Sequence, residues 1–136
     1  MKQQIYAYVA TFISLLVLDG LWLSLTMSRI YQKYLSHLMA DRVTLWAVAA
    51  FYVLYAFGLY FIVVRMAHNI DLPLASICIA GFVFGMTAYA TYDLTNQATL
   101  KNWPAFITII DIVWGGAMSA VAACIGAWIL RLIKST

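Results

Sequence analysis

Four long apolar runs, at roughly residues 5–27, 45–64, 73–93 and 104–130, dominate the chain and are separated by short polar stretches. Each is near or above the ~20 residues that carry an α-helix through a hydrocarbon core of ~30 Å. The runs are unbroken rather than alternating, so they do not read as barrel strands, which need period-two alternation in units of ~10 residues. The pattern predicts an all-α protein, an integral membrane bundle of four transmembrane helices, with residues 1–136 forming a single transmembrane domain. Only Lys2 precedes the first run as a charge, Asp19 lies inside it, and no small-residue cleavage site follows. It therefore reads as a retained span rather than a signal peptide.

The polar stretches are brief. In segment 28–44, Ile30, Tyr31, Tyr34, Leu35 and Leu38 recur at helical spacing against Arg29, Lys33, His37 and Arg42, which predicts a short helix lying in the interface. The second connection, MAHNIDLP, closes with Pro73 at a first helical turn, and Pro104 opens the last span after TNQATLKNWP. Tyr6, Tyr8, Tyr31, Tyr34, Trp46, Trp103 and Trp128 fall near span ends, where aromatic belts belong.

Composition agrees with the pattern: 65% of residues are hydrophobic and only 10% charged, which excludes an ordinary soluble domain and makes lipid the solvent. Membrane lipids are thus the expected surroundings. Four spans place both termini on one face, A, with the 66–72 loop; face B holds the other two connections. Face A then carries Lys2, Arg65, Arg131 and Lys134, and face B carries Arg29, Lys33, Arg42 and Lys101. This balance leaves the positive-inside rule silent. It also suits small transporters that pair as antiparallel homodimers, which stays open as an expectation. The net charge of +3 is scattered among loops, fits anionic headgroups, and forms no nucleic-acid patch.

Against this background the chemistry concentrates in three acids inside the spans: Asp19 in VLDGLWL, Asp93 in AYATYDLTN and Asp111 in TIIDIVWGG. A carboxylate in hydrocarbon costs several kcal/mol unless protonated, paired or facing a cavity. At ~1.5 Å per residue, Asp19 lies roughly 12 Å below face B, and Asp111 and Tyr52 each roughly 10 Å below it. Tyr89 and Asp93 approach the same layer from the third span. Asp19 with Trp22, and Asp111 with Trp114, both form D-x-x-W, an i,i+3 spacing that sets carboxylate and indole on one helix face. Each indole N–H is thereby placed to satisfy its own aspartate or to share a ligand with it. Tyr89 and Asp93, at i,i+4, offer a similar pair. Clustered carboxylates cannot all ionise at once. The bland alternatives are a polar clasp between helices and, for Asp93, a helix-end side chain bonded to nearby backbone.

Other candidates are weaker. Cys78 and Cys124 lie in apolar surroundings without CxxC spacing and read as free, packed thiols. His37 and His68 fall on opposite faces, which disfavours a haem or two-histidine metal site. Gly81 and Gly85 match GxxxG, and Gly116, Ala120 and Cys124 continue a small-residue stripe, both marking close helix approach within the chain or in a dimer.

At TYDLTNQATLKNWP (residues 91–104), with LDGLWL near the start, FYVLYAFGL in the second span and DIVWG in the last, the chain resembles a family of small bacterial inner-membrane proteins known only as a domain of unknown function. The resemblance spans nearly the whole chain and implies a multi-pass protein of the bacterial inner membrane. It supplies no activity and no catalytic residue.

Three functions stay open. In the first, a transporter or conductance element binds a proton or cation at Asp19, Asp93 and Asp111, in a cavity lined by Trp22, Tyr52, Tyr55, Tyr89, Asn96 and Trp114 and open to face B. No cofactor is needed there. In the second, an intramembrane enzyme acts on a lipid or apolar substrate, with Asp93 and Asp111 as acid and base or, together with Asn96, as Mg²⁺ ligands. In the third, the polar layer only locks the helices of a membrane-complex assembly subunit.

Overall fold

A computed structural model describes residues 2–134 of the chain; Met1, with its terminal amine, and the side chain of Lys134, which entered the charge balance above, lie outside what is described. Four helices long and apolar enough to cross a membrane make up the fold: α1 (Lys2–Leu35), α2 (Leu45–Asn69), α3 (Leu74–Thr99) and α4 (Ala105–Lys134). The protein is an all-α, multi-pass membrane bundle.

The connections are made by residues suited to sharp turns. At the end of α2, the Asp71 N–H donates to the His68 carbonyl at 3.2 Å and the Leu72 N–H to the Ala67 carbonyl at 3.0 Å, with Asp71 at φ 54°. This is a Schellman ending in which aspartate takes the left-handed position usually given to glycine. Pro73 then caps α3, its carbonyl accepting from the Ser76 and Ile77 N–H groups. Asn102 supplies a second left-handed residue, at φ 59°, before Pro104 and α4. Arg131 near the face-A end of α4 donates to the Leu72 carbonyl, tying the last helix to the α2–α3 turn.

Segment 28–44 corrects one expectation. Instead of a separate interfacial helix, its first part continues α1 through a π-helical turn at Met27–Tyr31 into Gln32–Leu35. A π-turn adds about one residue to the helical turn, so everything after it is rotated relative to α-helical register. Tyr31 consequently points into the bundle and not to the interface, where sequence spacing put it. A second π-helical stretch, Leu59–Arg65, lies in α2 and buries Leu59, Tyr60, Val63 and Val64.

The core is organised by stripes at every fourth position. On α1 the buried set is Ala7, Thr11, Leu15 and Asp19; on α3 it is Ile77, Gly81, Gly85 and Asp93, with Tyr89 partly buried between; on α4 it includes Ile107, Asp111, Gly115, Ser119, Ala123 and Ala127. Residues at i and i+4 form one ridge along a helix, so each acid occupies the ridge its helix packs with. The central helix is α4, which packs against both α3 and α1. The GxxxG pair acts within the chain: a Cβ at Gly81 would lie 2.8 Å from the Ser119 carbonyl oxygen, and one at Gly85 would overlap the Gly115 carbonyl and the Ser119 side chain. At this closeness Cys78 and Cys124 have Cα atoms 5.5 Å apart and form a disulfide. They are not free thiols, because small residues bring α3 and α4 within disulfide reach across 46 residues of sequence.

Candidate functional site

The first and last helices exchange their donors. Trp114 Nε1 donates to Asp19 Oδ1 at 3.1 Å, and Tyr52 OH of α2 donates to Asp19 Oδ2 at 2.5 Å. On the other side, Trp22 Nε1 donates to Tyr31 OH at 2.9 Å, and Tyr31 OH donates to Asp111 Oδ1 at 2.5 Å. Trp22 and Trp114 stack between the two halves, with ring centroids 4.5 Å apart and planes at 9°. Neither indole bonds the aspartate of its own D-x-x-W. The i,i+3 spacing sets both on one face of their helix, but that face meets a neighbour, and the Trp114 N–H donates to Asp19 of the other helix and the Trp22 N–H to the Tyr31 hydroxyl. Asp19, Tyr52 and Asp111 are thus brought to one layer, together with Tyr31, which sequence spacing had assigned to the aromatic belt.

Asp93 behaves differently. It is fully buried, at 0% exposure, and neither carboxylate oxygen has a hydrogen-bond partner. The expectation that it bonds nearby backbone at a helix end is corrected: α3 continues six residues past it to Thr99, so its surroundings are helix interior, where backbone groups are already paired. Tyr89 does not bond it either. The Tyr89 ring fills the space left by Gly115, where a Cβ would lie only 2.3 Å from the ring, and it meets Tyr55 edge-on at 6.1 Å. Asp93 lies within electrostatic reach of Asp111, and Asp111 of Asp19. Among the described residues no lysine or arginine pairs with any of the three. Toward face A the layer is closed by Tyr55, whose hydroxyl shares a 2.7 Å hydrogen bond with Ser119 Oγ at the Gly85 contact.

Two further features border the layer. At the face-B end, Trp103 Nε1 donates to Thr108 Oγ1 at 3.0 Å and Thr108 to Gln97 Oε1 at 3.1 Å, which fixes the turn between α3 and α4. Trp103 is thereby buried, not an interfacial anchor, whereas Tyr6, Trp46 and Trp128 are exposed as belt residues should be. Asn96 stands one turn beyond Asp93, half-buried, its carbonyl accepting from Leu100 N–H at 2.9 Å. Among the described residues no three His, Cys, Asp or Glu side chains converge as a metal site. Between α2 and α3 the bundle opens sideways into a groove of about 380 Å³ lined by Phe51, Tyr55, Ala88, Tyr89 and Tyr92.

A family model described as a predicted membrane protein, DUF2177, matches residues 4–128. The chain belongs to this family. The matched region contains all three acids, both stacked indoles and the four tyrosines of the layer. No curated protein and no solved structure matches the chain.

Proposed function

We propose that this DUF2177 protein is a small transporter or conductance element of the bacterial inner membrane that moves a proton or another cation, with Asp93 as the group that takes it up. The observation that carries this reading is the burial of Asp93 without a hydrogen-bond donor. A carboxylate in such a place is tolerated only when neutralised, by a proton or by a bound cation, and intramembrane acids left in that condition mark ion and proton pathways. Asp111 passes charge between Asp93 and face B, where Tyr31 bonds it from the end of α1. Asp19, held by Tyr52 and Trp114, is the fixed negative member of the group. Passage toward face A requires the Tyr55–Ser119 hydrogen bond and the Gly85 contact to loosen.

The test is proton flux into liposomes carrying purified protein and an internal pH-sensitive dye. Wild type should dissipate an imposed pH gradient, Asp93→Asn should not, and Asp111→Asn should slow the flux. Equal flux in wild type and Asp93→Asn overturns the reading. A second reading draws on Asp19, both of whose oxygens are satisfied by protein donors. A layer bonded in that way suits a subunit whose polar residues only hold helices together, and that reading gains if folded wild-type protein carries no flux.

A further inference from the structure

Among the described residues no lysine or arginine pairs with the acids, and the groove beside them is built of rings. Four of its five lining residues are aromatic: Phe51 and Tyr55 on α2, Tyr89 and Tyr92 on α3. Phe51 and Tyr92 form its outer rim and are 41% and 61% exposed on the surface that the four-span fold turns to lipid. Tyr55 and Tyr89 form its inner wall. Both lie within electrostatic reach of Asp19, and Tyr89 of Asp111 as well. Tyr52, tilted against Phe51 at 5.1 Å, carries the contact on to Asp19 through its hydroxyl. The groove therefore has an apolar mouth toward the bilayer and a negative field behind its inner wall.

That combination selects a ligand class. A proton uses the carboxylates but not the rings, and a strongly hydrated inorganic cation gains nothing from the apolar mouth. A neutral lipid fills an apolar groove but leaves the carboxylate field unused. A lipophilic organic cation uses both: its charge is attracted to ring faces and to the acids, and its apolar substituents lower the cost of leaving water. A volume of about 380 Å³ is within the usual range for pockets that take small organic molecules.

We propose that the groove between α2 and α3 admits a lipophilic organic cation from the bilayer and holds it against Tyr55 and Tyr89 in the field of Asp19 and Asp111. As the substrate class of the transporter proposed above, this inference rests on that reading, whereas binding is measured without flux.

The probe is tetraphenylphosphonium, with tetraphenylborate as its counterpart of opposite charge, applied to the full chain in nanodiscs of zwitterionic lipid. Saturable binding of the cation is expected, with no saturable binding of the anion. Tyr89→Leu should weaken it about 10-fold or more, while Tyr89→Phe, which keeps the ring, should stay within about 3-fold of wild type. Tyr92→Leu, at the exposed rim where the ring meets Trp103 edge-on, is checked for an unchanged melting profile and should weaken it by a smaller factor. Asp19→Asn, checked for an unchanged melting profile, should weaken it about 10-fold. Absence of saturable cation binding, or equal binding of the anion, overturns the proposal. If the cation does not bind but Asp93-dependent proton flux persists, the substrate class falls and the transport reading stands. If it binds without such flux, the site stands and the transport reading falls.

Discussion

Trp22 and Trp114 lie face to face at 4.5 Å, and each serves the acid carried by the other's helix: Trp114 bonds Asp19 directly, and Trp22 reaches Asp111 through Tyr31. The two helices are thus joined by a stack and two donor chains that run in opposite directions. A hydrogen bond in this setting contributes about 0.6 kcal/mol on average, and up to about 1.7.

The two indoles should not be equivalent. Trp114→Phe keeps a stacked ring but leaves Asp19 Oδ1 without its donor, so a loss of about 1–2 kcal/mol is expected. Trp22→Phe leaves only a lone pair of Tyr31 unfilled and should cost less than half as much. Thermal unfolding of both variants in detergent, followed by near-ultraviolet circular dichroism, orders them. The reverse order would mean that the assignment of donors is wrong.

Asp93 offers the opposite signature. Replacing a buried, unbonded carboxyl by an apolar group removes a desolvation cost, so Asp93→Val should be more stable than wild type by about 1–3 kcal/mol while losing proton flux. A destabilised Asp93→Val protein would show that the side chain has a structural partner.

The approach of α3 to α4 at Gly85 leaves no room for a methyl group. Gly85→Ala should destabilise the bundle by about 1–3 kcal/mol through overpacking, whereas Gly20→Ala, where an added Cβ meets nothing within 4 Å, should not. Equal melting temperatures for the two variants would argue against the close packing.

The disulfide is checked by labelling. Denatured, unreduced protein should take up no maleimide at Cys78 or Cys124, and two equivalents after reduction. Cys124→Ser should expose one thiol and lower the melting temperature. Labelling of unreduced wild type would return the pair to free thiols.

Much of this was legible in the chain because lipid imposes simple rules. Length and hydropathy yield four helices, and the cost of a lipid-facing carboxylate turns Asp19 and Asp111 inward at a depth that helical rise places beside Tyr52. The position of Asp93 on a four-residue ridge with Ile77, Gly81 and Gly85 was equally readable, although its neighbours Thr95 and Asn96 suggested a helix end. Tyr31 was not readable: α-helical counting from Asp19 puts it outward, and only the π-turn brings it in. Nothing in sequence spacing marks that turn. The exchange of donors between the D-x-x-W motifs and the Cys78–Cys124 bond depend on how near two helices come, which intrahelical spacing does not contain.

The disulfide and the Asp93–Asp111 pair sit toward opposite ends of the same two helices. Cys78 and Asp93 are separated along α3 by roughly 22 Å at 1.5 Å per residue. With the two helices covalently joined near face A and tied by the Trp103–Thr108–Gln97 hydrogen bonds near face B, α3 is pinned to α4 on both sides of Asp93 and cannot slide freely along it. The carboxylate that has no partner therefore lies between a covalent pin and a hydrogen-bonded one.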